Sequence, residues 1–528
     1  MTLLAFPEEN LEQDIARRVT ELNREFASGV PKWRLRDIVA LGLILGFCVL
    51  GFLYQWNSGY DPRQHGLLPI LGALGLWRYG WWFNHARRAR KFGHHKWPEM
   101  RERRDEVWNS GWRPGHLHIQ MTTFFEEPAI TRHVMRALFD QIREAGLTAT
   151  IYVGTGGRQD EEIIEEIAFE EAPDLDAQIV FVRQNQPGKR MAIGLVMRAI
   201  MRVAPEDDDV IVFMDGDTIF APNALARSCA MFGADPGLDA LTTNEEAIVY
   251  GPGWFRRLLN LRFAQRRLAM QSHVMSDKVL TLTGRMSMFR AGAITNIEFI
   301  RTIEADHLDH WLWGRFRFLS GDDKSTWYYM LKRRSKMAYV PDAYVYTVEI
   351  IQGTGVRRMV QNLRRWSGNM LRNGSRALSL GPRRVGMFIW WCVLDQKLAI
   401  WTTLVSPALL LLAVFLEPRF LMPAILWVIS SRLVLSVYLF RYARNADMTW
   451  PFLLYGNQLV NALVKSYMTF FPQNQAWANR GGQRAGGGEG WIQRAKSAFA
   501  LFQYVTAMLV FLFMTAWIVG SSETFGAF

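Results

Sequence analysis

Apolar and polar positions divide the chain into three regimes. An uncharged apolar run from Ile38 to Trp56 is long enough to cross a bilayer. Leu67 to Phe83 predicts a second crossing, weakened by Arg78, a residue placed to snorkel or to line a polar path. Between about residues 115 and 380 the pattern changes to short β-branched runs alternating with amphipathic stretches, which predicts strands alternating with helices. The expected strands are 116–123, 148–153, 178–183 and 208–214, with a helix at about 129–145 and a flexible turn at Gly154-Thr155-Gly156-Gly157. That order predicts a mainly parallel sheet with its site at the strand carboxyl ends.

The ends of the chain are read in the same way. Glu9 to Phe26 sets Leu11, Ile15, Val19 and Leu22 on one face, predicting an amphipathic helix suited to packing or docking. No apolar core lies beside a small-residue cleavage site, so this stretch does not read as a signal peptide. Beyond residue 386 the chain is apolar again. A stretch from Met387 is expected to break at Asp395 and Lys397, with a span starting near Ile400. Phe420 to Leu439 and Leu501 to Val519 add spans, while Asn457, Gln458, Asn461 and Lys465 make Trp450 to Phe471 an interface helix. Five spans result, with a sixth reading open. The expected units are 1–36, a hairpin and basic flank at 37–97, a catalytic domain at 98–385, and membrane helices at 386–528 with a glycine-rich loop at 472–490.

Composition sharpens this picture. The 21 Trp and 33 Phe favour a membrane protein, since amphipathic rings settle at the interface. A net charge of +12 admits nucleic acid, anionic lipid or an anionic substrate as partner. Its placement decides: Lys32, Arg34 and Arg36 precede the hairpin, and Arg87, Arg88, Arg90, Lys91, Lys96, Arg101, Arg103 and Arg104 follow it. Both flanks are therefore cytoplasmic, the lipid bilayer accounts for much of the charge, and nucleic acid is not an expected partner. Cys48, Cys229 and Cys392 are scattered, with neither a metal pattern nor an implied disulfide.

The candidate chemistry centres on Asp215-Gly216-Asp217, where the apolar strand Val210-Ile211-Val212-Phe213-Met214 ends in two carboxylates. Hard oxygen ligands on one turn suit Mg²⁺ or Mn²⁺ beside a substrate diphosphate, against the plainer reading of a solvated Asp-Gly turn. The neighbours favour the metal. Glu126-Glu127-Pro128, Gly188-Lys189-Arg190, the acidic pair, Ser320-Gly321-Asp322-Asp323 and Arg365-Trp366 follow in order between membrane segments. This set resembles the processive family 2 glycosyltransferases, which include cellulose, chitin, hyaluronan and mannuronan synthases. Blocks such as Leu241-Thr242-Thr243-Asn244-Glu245, Leu280-Thr281-Leu282-Thr283-Gly284-Arg285 and Tyr339-Val340-Pro341-Asp342-Ala343 are most similar to the mannuronan synthases.

The resemblance implies an α/β GT-A domain with a mainly parallel sheet, embedded in an α-helical transmembrane bundle of the bacterial inner membrane. Its reaction would be inverting transfer from a nucleotide-sugar donor, GDP-mannuronate first, to a growing polysaccharide. Asp217 is the implied metal ligand for Mg²⁺ or Mn²⁺, and Asp215, Lys189, Arg190, Thr122, Glu127 and Arg365 are implied donor contacts. Asp323 is the implied general base, with Asp322 supporting it. Trp366, Thr283, Gly284 and Arg285 fall on the acceptor side, where Arg285, or else Lys324, would meet a uronate carboxylate. The Gln of the family's Q-x-x-R-W falls on Asn362, with Gln361 one residue early. Trp477 and Arg480 match a gating loop, and an activating co-polymerase responsive to cyclic di-GMP is the implied partner. Two other readings remain: a hyaluronan- or chitin-like polymer from UDP-sugars, and a non-processive transferase acting on a lipid phosphate. A transporter would account for the spans but not for the ordered acids.

Overall fold

The computed structural model describes residues 8–27, 32–59, 67–184, 188–316, 321–351, 353–474 and 490–525. The chain opens with α1 (Glu8–Ala27), α2 (Leu35–Asn57) and α3 (Leu67–Lys91), the last continuing through a π-helical turn (Phe92–Lys96) into α4 (Trp97–Asn109). Then come β1 (Leu117–Thr122), α5 (Pro128–Ala145), β2 (Ala149–Thr155), α6 (Arg158–Glu171), β3 (Ala177–Arg183), α7 (Lys189–Arg202), β4 (Val210–Asp215), β5 (Thr218–Phe220), α8 (Ala224–Ala234) and β6 (Leu238–Tyr250). The domain continues with α9 (Gly253–His273), β7 (Met286–Arg290), α10 (Ala291–Ile294), α11 (Ile297–Glu304), a hairpin of β8 (Leu308–His310) and β9 (Gly314–Phe316), α12 (Asp322–Lys332) and β10 (Lys336–Ile350). The long α13 (Gly355–Ser379) and short α14 (Pro382–Val385) lead to α15 (Met387–Leu416), α16 (Leu421–Leu439), α17 (Trp450–Phe470) and α18 (Trp491–Phe525).

Eight strands form one sheet in the order β3-β2-β1-β4-β7-β6-β10-β5. β1 pairs in parallel with β2 and β4, β2 with β3, and β6 with β10, while β7 runs antiparallel between β4 and β6. This is the mainly parallel sheet the strand-helix alternation predicts. Every residue of β1 and β2 is buried, as expected where helices cover both faces and the strands read as continuous apolar runs.

The amphipathic α1 docks on this domain, with Leu11, Ile15 and Leu22 in its core. Tyr250 Oη donates to Asp14 Oδ2 at 2.9 Å and Tyr346 Oη to Asn23 Oδ1 at 2.6 Å. The basic flank after α3 is helical, and its buried Arg104 grips Asp342 at 2.8 Å. The turn expected to be flexible at 154–157 is instead packed. Gly154 and Thr155 complete β2, and a Cβ on Gly156 would meet the Phe124 ring at 2.5 Å.

Among the described residues, four helices are long and apolar enough to cross a membrane: Leu35–Asn57, Met387–Phe415, Pro418–Tyr442 and Trp491–Trp517. The predicted crossing at 67–83 is not among them; α3 runs on into a basic last turn and packs along α9. The break expected at Asp395 does not occur. α15 continues for 30 residues because Arg78 Nη1 pairs with Asp395 Oδ1 at 2.7 Å, neutralising the carboxylate inside the bundle. Arg432 Nη1 donates to Tyr79 Oη at 2.8 Å. These pairs line a cavity of about 370 Å³ between α3, α9 and the membrane helices.

Candidate active site

β4 delivers Asp215 to the sheet's carboxyl edge, in register with Thr122 of β1. Gly216 donates its N–H to the Thr122 carbonyl at 2.9 Å, and a Cβ there would meet that oxygen at the same distance. Only glycine lets the acidic turn lie this close to β1. Asp217 Oδ1 is shut from solvent without a hydrogen-bond partner. Burial, then Asp215 and Glu126, push the Asp217 carboxyl up to about 7, against the pull of Arg285. An orphaned carboxylate oxygen among other hard oxygens fits a divalent cation such as Mg²⁺ or Mn²⁺. Thr122 is buried at the same edge, its hydroxyl likewise unpartnered.

Lys189, the first residue of α7, ties this turn to the second acid motif. Its Nζ lies 2.5 Å from Asp215 Oδ1 and 3.0 Å from Asp322 Oδ2. Burial opposes its charge, but the two carboxylates more than offset this and hold the ammonium protonated. Asp322 and Asp323 open α12. Burial alone would raise Asp322; Lys189 and Arg190 override it and hold it below the usual carboxylate range. Asp323 shifts the other way, raised by burial and by Asp322. Adjacent acids are thus driven apart, one ionised and one shifted towards proton exchange.

The frame behind Asp323 was not apparent from the sequence. Asn369 Nδ2 of α13 donates to Asp323 Oδ1 at 2.9 Å, and Asn373 Nδ2 and Arg372 Nη2 donate to Asn369 Oδ1 at 2.9 and 3.2 Å. Gly321 sits at φ +82°, and a Cβ would fall 1.8 Å from Asn369 Nδ2. Arg190 does not face the donor side as expected. It donates to the carbonyls of Ile303 and Gly321 and to Ser325 Oγ, at 2.6 to 2.8 Å. Its guanidinium braces the start of α12, and buried Asp306 gathers it with Arg372 and Arg376.

Thr283-Gly284-Arg285 closes the site from β7. A Cβ on Gly284 would meet Lys189 Nζ at 3.0 Å and Asp322 Oδ2 at 3.3 Å, so this turn packs on the ionic cluster itself. Thr283 Oγ1 donates to the Met286 carbonyl at 3.1 Å. Arg285 lies 3.3 Å from Glu245 and 3.8 Å from Glu349. Its charge is already shared between two protein carboxylates, which weakens it as the uronate partner. The Arg262 guanidinium sits 4.2 Å from the centre of the Trp366 ring, with the Arg365 guanidinium at 5.9 Å. Burial and then Arg285 lower Arg262 to about 10. Lys465 of α17 feels the like charges of Arg262, Lys324 and Arg78. Lys324, lowered by burial to about 8, donates to the Leu280 carbonyl. Arg365 feels Glu349 and Asp323.

Not every expected residue gathers here. Glu127 is exposed at the start of α5, whereas Glu126 is the acid that acts on Asp217. The loop holding Glu126 is shaped by buried Asp160, which accepts from Thr123 Oγ1 at 3.1 Å and from the Phe125 N–H at 2.9 Å. Asn362 is buried and Gln361 only half-buried. Ser320, Trp477 and Arg480 lie outside the described residues.

Two acid motifs at the open edge of a mainly parallel sheet, joined by one lysine, define a family 2 glycosyltransferase with a GT-A domain, and residues 114–369 match the family described as "Glycosyltransferase like family 2". Glycosyltransferase alg8 of Pseudomonas syringae pv. tomato is 34% identical over 426 residues, 80% of this chain and 86% of that one. Glycosyltransferase alg8 of Azotobacter vinelandii is 32% identical over 445 residues, 83% of this chain and 89% of that one. The chain belongs to this family, the Alg8 glycosyltransferases, which are catalytic subunits of alginate polymerases. Among solved structures, a mannosyltransferase from Pyrobaculum calidifontis in complex with GDP-Man and Mn²⁺ is similar at 15% identity and a TM-score of 0.43, covering 76% of this chain and 98% of its own.

Proposed function

We propose that this enzyme of alginate synthesis polymerises GDP-mannuronate into polymannuronate, processively and with inversion, from a catalytic domain on the cytoplasmic face of the inner membrane. The observation that carries the choice of polymer is the cluster of cationic side chains beyond the base. Lys465 feels the charges of Arg262, Lys324 and Arg78, a gathering of cations that suits a polyanionic acceptor. A neutral glucan or chitin-like chain would leave those charges unmet.

In this reading Asp323, oriented by Asn369, accepts the proton of the acceptor hydroxyl as it attacks the anomeric carbon. Trp366 carries the acceptor sugar by ring stacking. Lys189 holds the donor turn against α12, and Arg365 meets the leaving diphosphate. Asp217, with Asp215, would hold Mg²⁺ or Mn²⁺, which when bound neutralises charge developing on the diphosphate. Trp477 and Arg480 are assigned to a loop that closes over the donor. Export through the membrane helices and activation by a cyclic di-GMP-responsive co-polymerase belong to the same proposal.

The test is to incubate the full chain in lipid nanodiscs with GDP-mannuronate or with UDP-sugars and treat the product with alginate lyase or hyaluronidase. A lyase-sensitive polymer formed only from GDP-mannuronate is expected. Nucleotide release without such a polymer, or a hyaluronidase-sensitive product from UDP-sugars, would reject it.

A further inference from the structure

Away from the catalytic acids, three side chains that are far apart in sequence meet on the wall of the 370 Å³ cavity. His85 comes from the last turns of α3, His273 from the end of α9 and Cys392 from the first turns of α15, with their ligating atoms all within 4.8 Å of one another. Cys392 and His273 are 3% and 5% exposed. His85 Nε2 lies 3.9 Å from Cys392 Sγ. Two ligands on one tetrahedral zinc, at about 2.0 Å for nitrogen and 2.3 Å for sulfur, stand about 3.5 Å apart, so the His85–Cys392 pair needs to close by only a few tenths of an ångström.

Two further observations point to a ligand rather than to packing. His273 Nδ1 is buried and has no hydrogen-bond partner, a state costly for a buried imidazole. His85 Nδ1 lies 2.9 Å from Ser272 Oγ. With its proton donated to that hydroxyl, the ring turns the Nε2 lone pair towards Cys392, as ligating histidines are fixed by a partner on the other nitrogen. Arg88 anchors the same segment by donating to the Ser272 carbonyl at 3.1 Å and to Ser276 Oγ at 2.6 Å, while its guanidinium covers the Phe388 ring at 3.7 Å. The rings of Trp81 and Phe388 wall the cluster.

We infer that His85, His273 and Cys392 form a zinc site, separate from the catalytic divalent cation, which ties two membrane-side helices to the catalytic domain. One thiolate and two imidazoles select a borderline-soft ion over Mg²⁺ or Mn²⁺, and three protein ligands leave the fourth position to water in the cavity. From His273 the chain runs through Val279 to Thr283-Gly284-Arg285. The metal therefore fixes the root of the turn that packs on Lys189 and Asp322.

The test uses the full chain in nanodiscs, dialysed and analysed for bound metal by mass spectrometry. Stoichiometric zinc is expected in the wild type and in Asp217→Asn, and none in Cys392→Ser or His273→Ala. Cobalt added to stripped wild-type protein should give thiolate-to-metal charge-transfer absorption. Cys392→His keeps three ligands, so it should retain zinc while losing that absorption, even if Cys392→Ser fails to fold. Wild-type protein that holds no zinc, holds copper instead, or gives the same charge-transfer band in Cys392→His would overturn the site. Loss of zinc in Asp217→Asn would do so as well.

Discussion

At the scale of single residues, Gly321 carries an unusual load. Its left-handed φ and the 1.8 Å approach of Asn369 mean that alanine would strain the backbone and displace the side chain that orients Asp323. Gly321→Ala should cost about 1–3 kcal/mol of stability. It should also lower kcat more than it raises donor KM, measured as thermal unfolding beside initial rates; an unaffected kcat would break the link between Asn369 and the base. The acids themselves predict a pH profile. With Asp323 as the proposed base, which must be ionised, and its carboxyl raised, activity should fall as pH drops through a value above the ordinary carboxylate range. The Asp322 charge is part of the cause, so in Asp322→Asn the acidic limb of kcat should move to lower pH. An unmoved limb would mean that another group limits the rate. The positions of Asp215, Asp217, Asp322 and Asp323 were legible because strand ends and helix starts are local patterns. Asn369 was not: its role depends on α13 crossing α12, and an asparagine in a basic helix carries no local signal.

At the scale of elements, the acceptor side proposed above draws on α9, α13 and α17. Arg262, beside the Trp366 ring, and Lys465 come from the first and last of these and repel one another. Arg262→Ala with Lys465→Ala should shorten the polymer and flatten the dependence of chain length on ionic strength, because a polyanion would be held by fewer cations. Product sizing across a salt series checks this, and a wild-type salt response would point to a neutral acceptor. Four of the eight strands, β1 to β4, could be read from sequence, since their apolar runs are a local signal. The antiparallel β7 and the packed Gly156 turn could not, since both depend on what lies alongside them.

At the scale of the whole molecule, the membrane helices show where sequence reading stops. A charge within an apolar run argues for a break, yet Asp395 is neutralised by Arg78, 317 residues away in the chain. Arg78→Leu should destabilise the nanodisc-embedded protein by about 3–5 kcal/mol by stranding the carboxylate, and Arg78→Leu/Asp395→Leu should recover most of that loss. Thermal unfolding of the two variants decides it; equal melting temperatures would show that the pair does not hold the bundle. The same long-range pairing hides His85, His273 and Cys392 from any reading by spacing.

Lys189 has one more consequence. A single ammonium answers both the carboxylate of the donor turn and that of the base helix, so neither half of the site has a charge state of its own. When a diphosphate enters, the cation's attention is divided differently, and the proton affinity of the neighbouring acids shifts with it. Loading the donor and readying the base are then one electrical event, and an empty enzyme is poorly set to activate a hydroxyl that has nothing to attack.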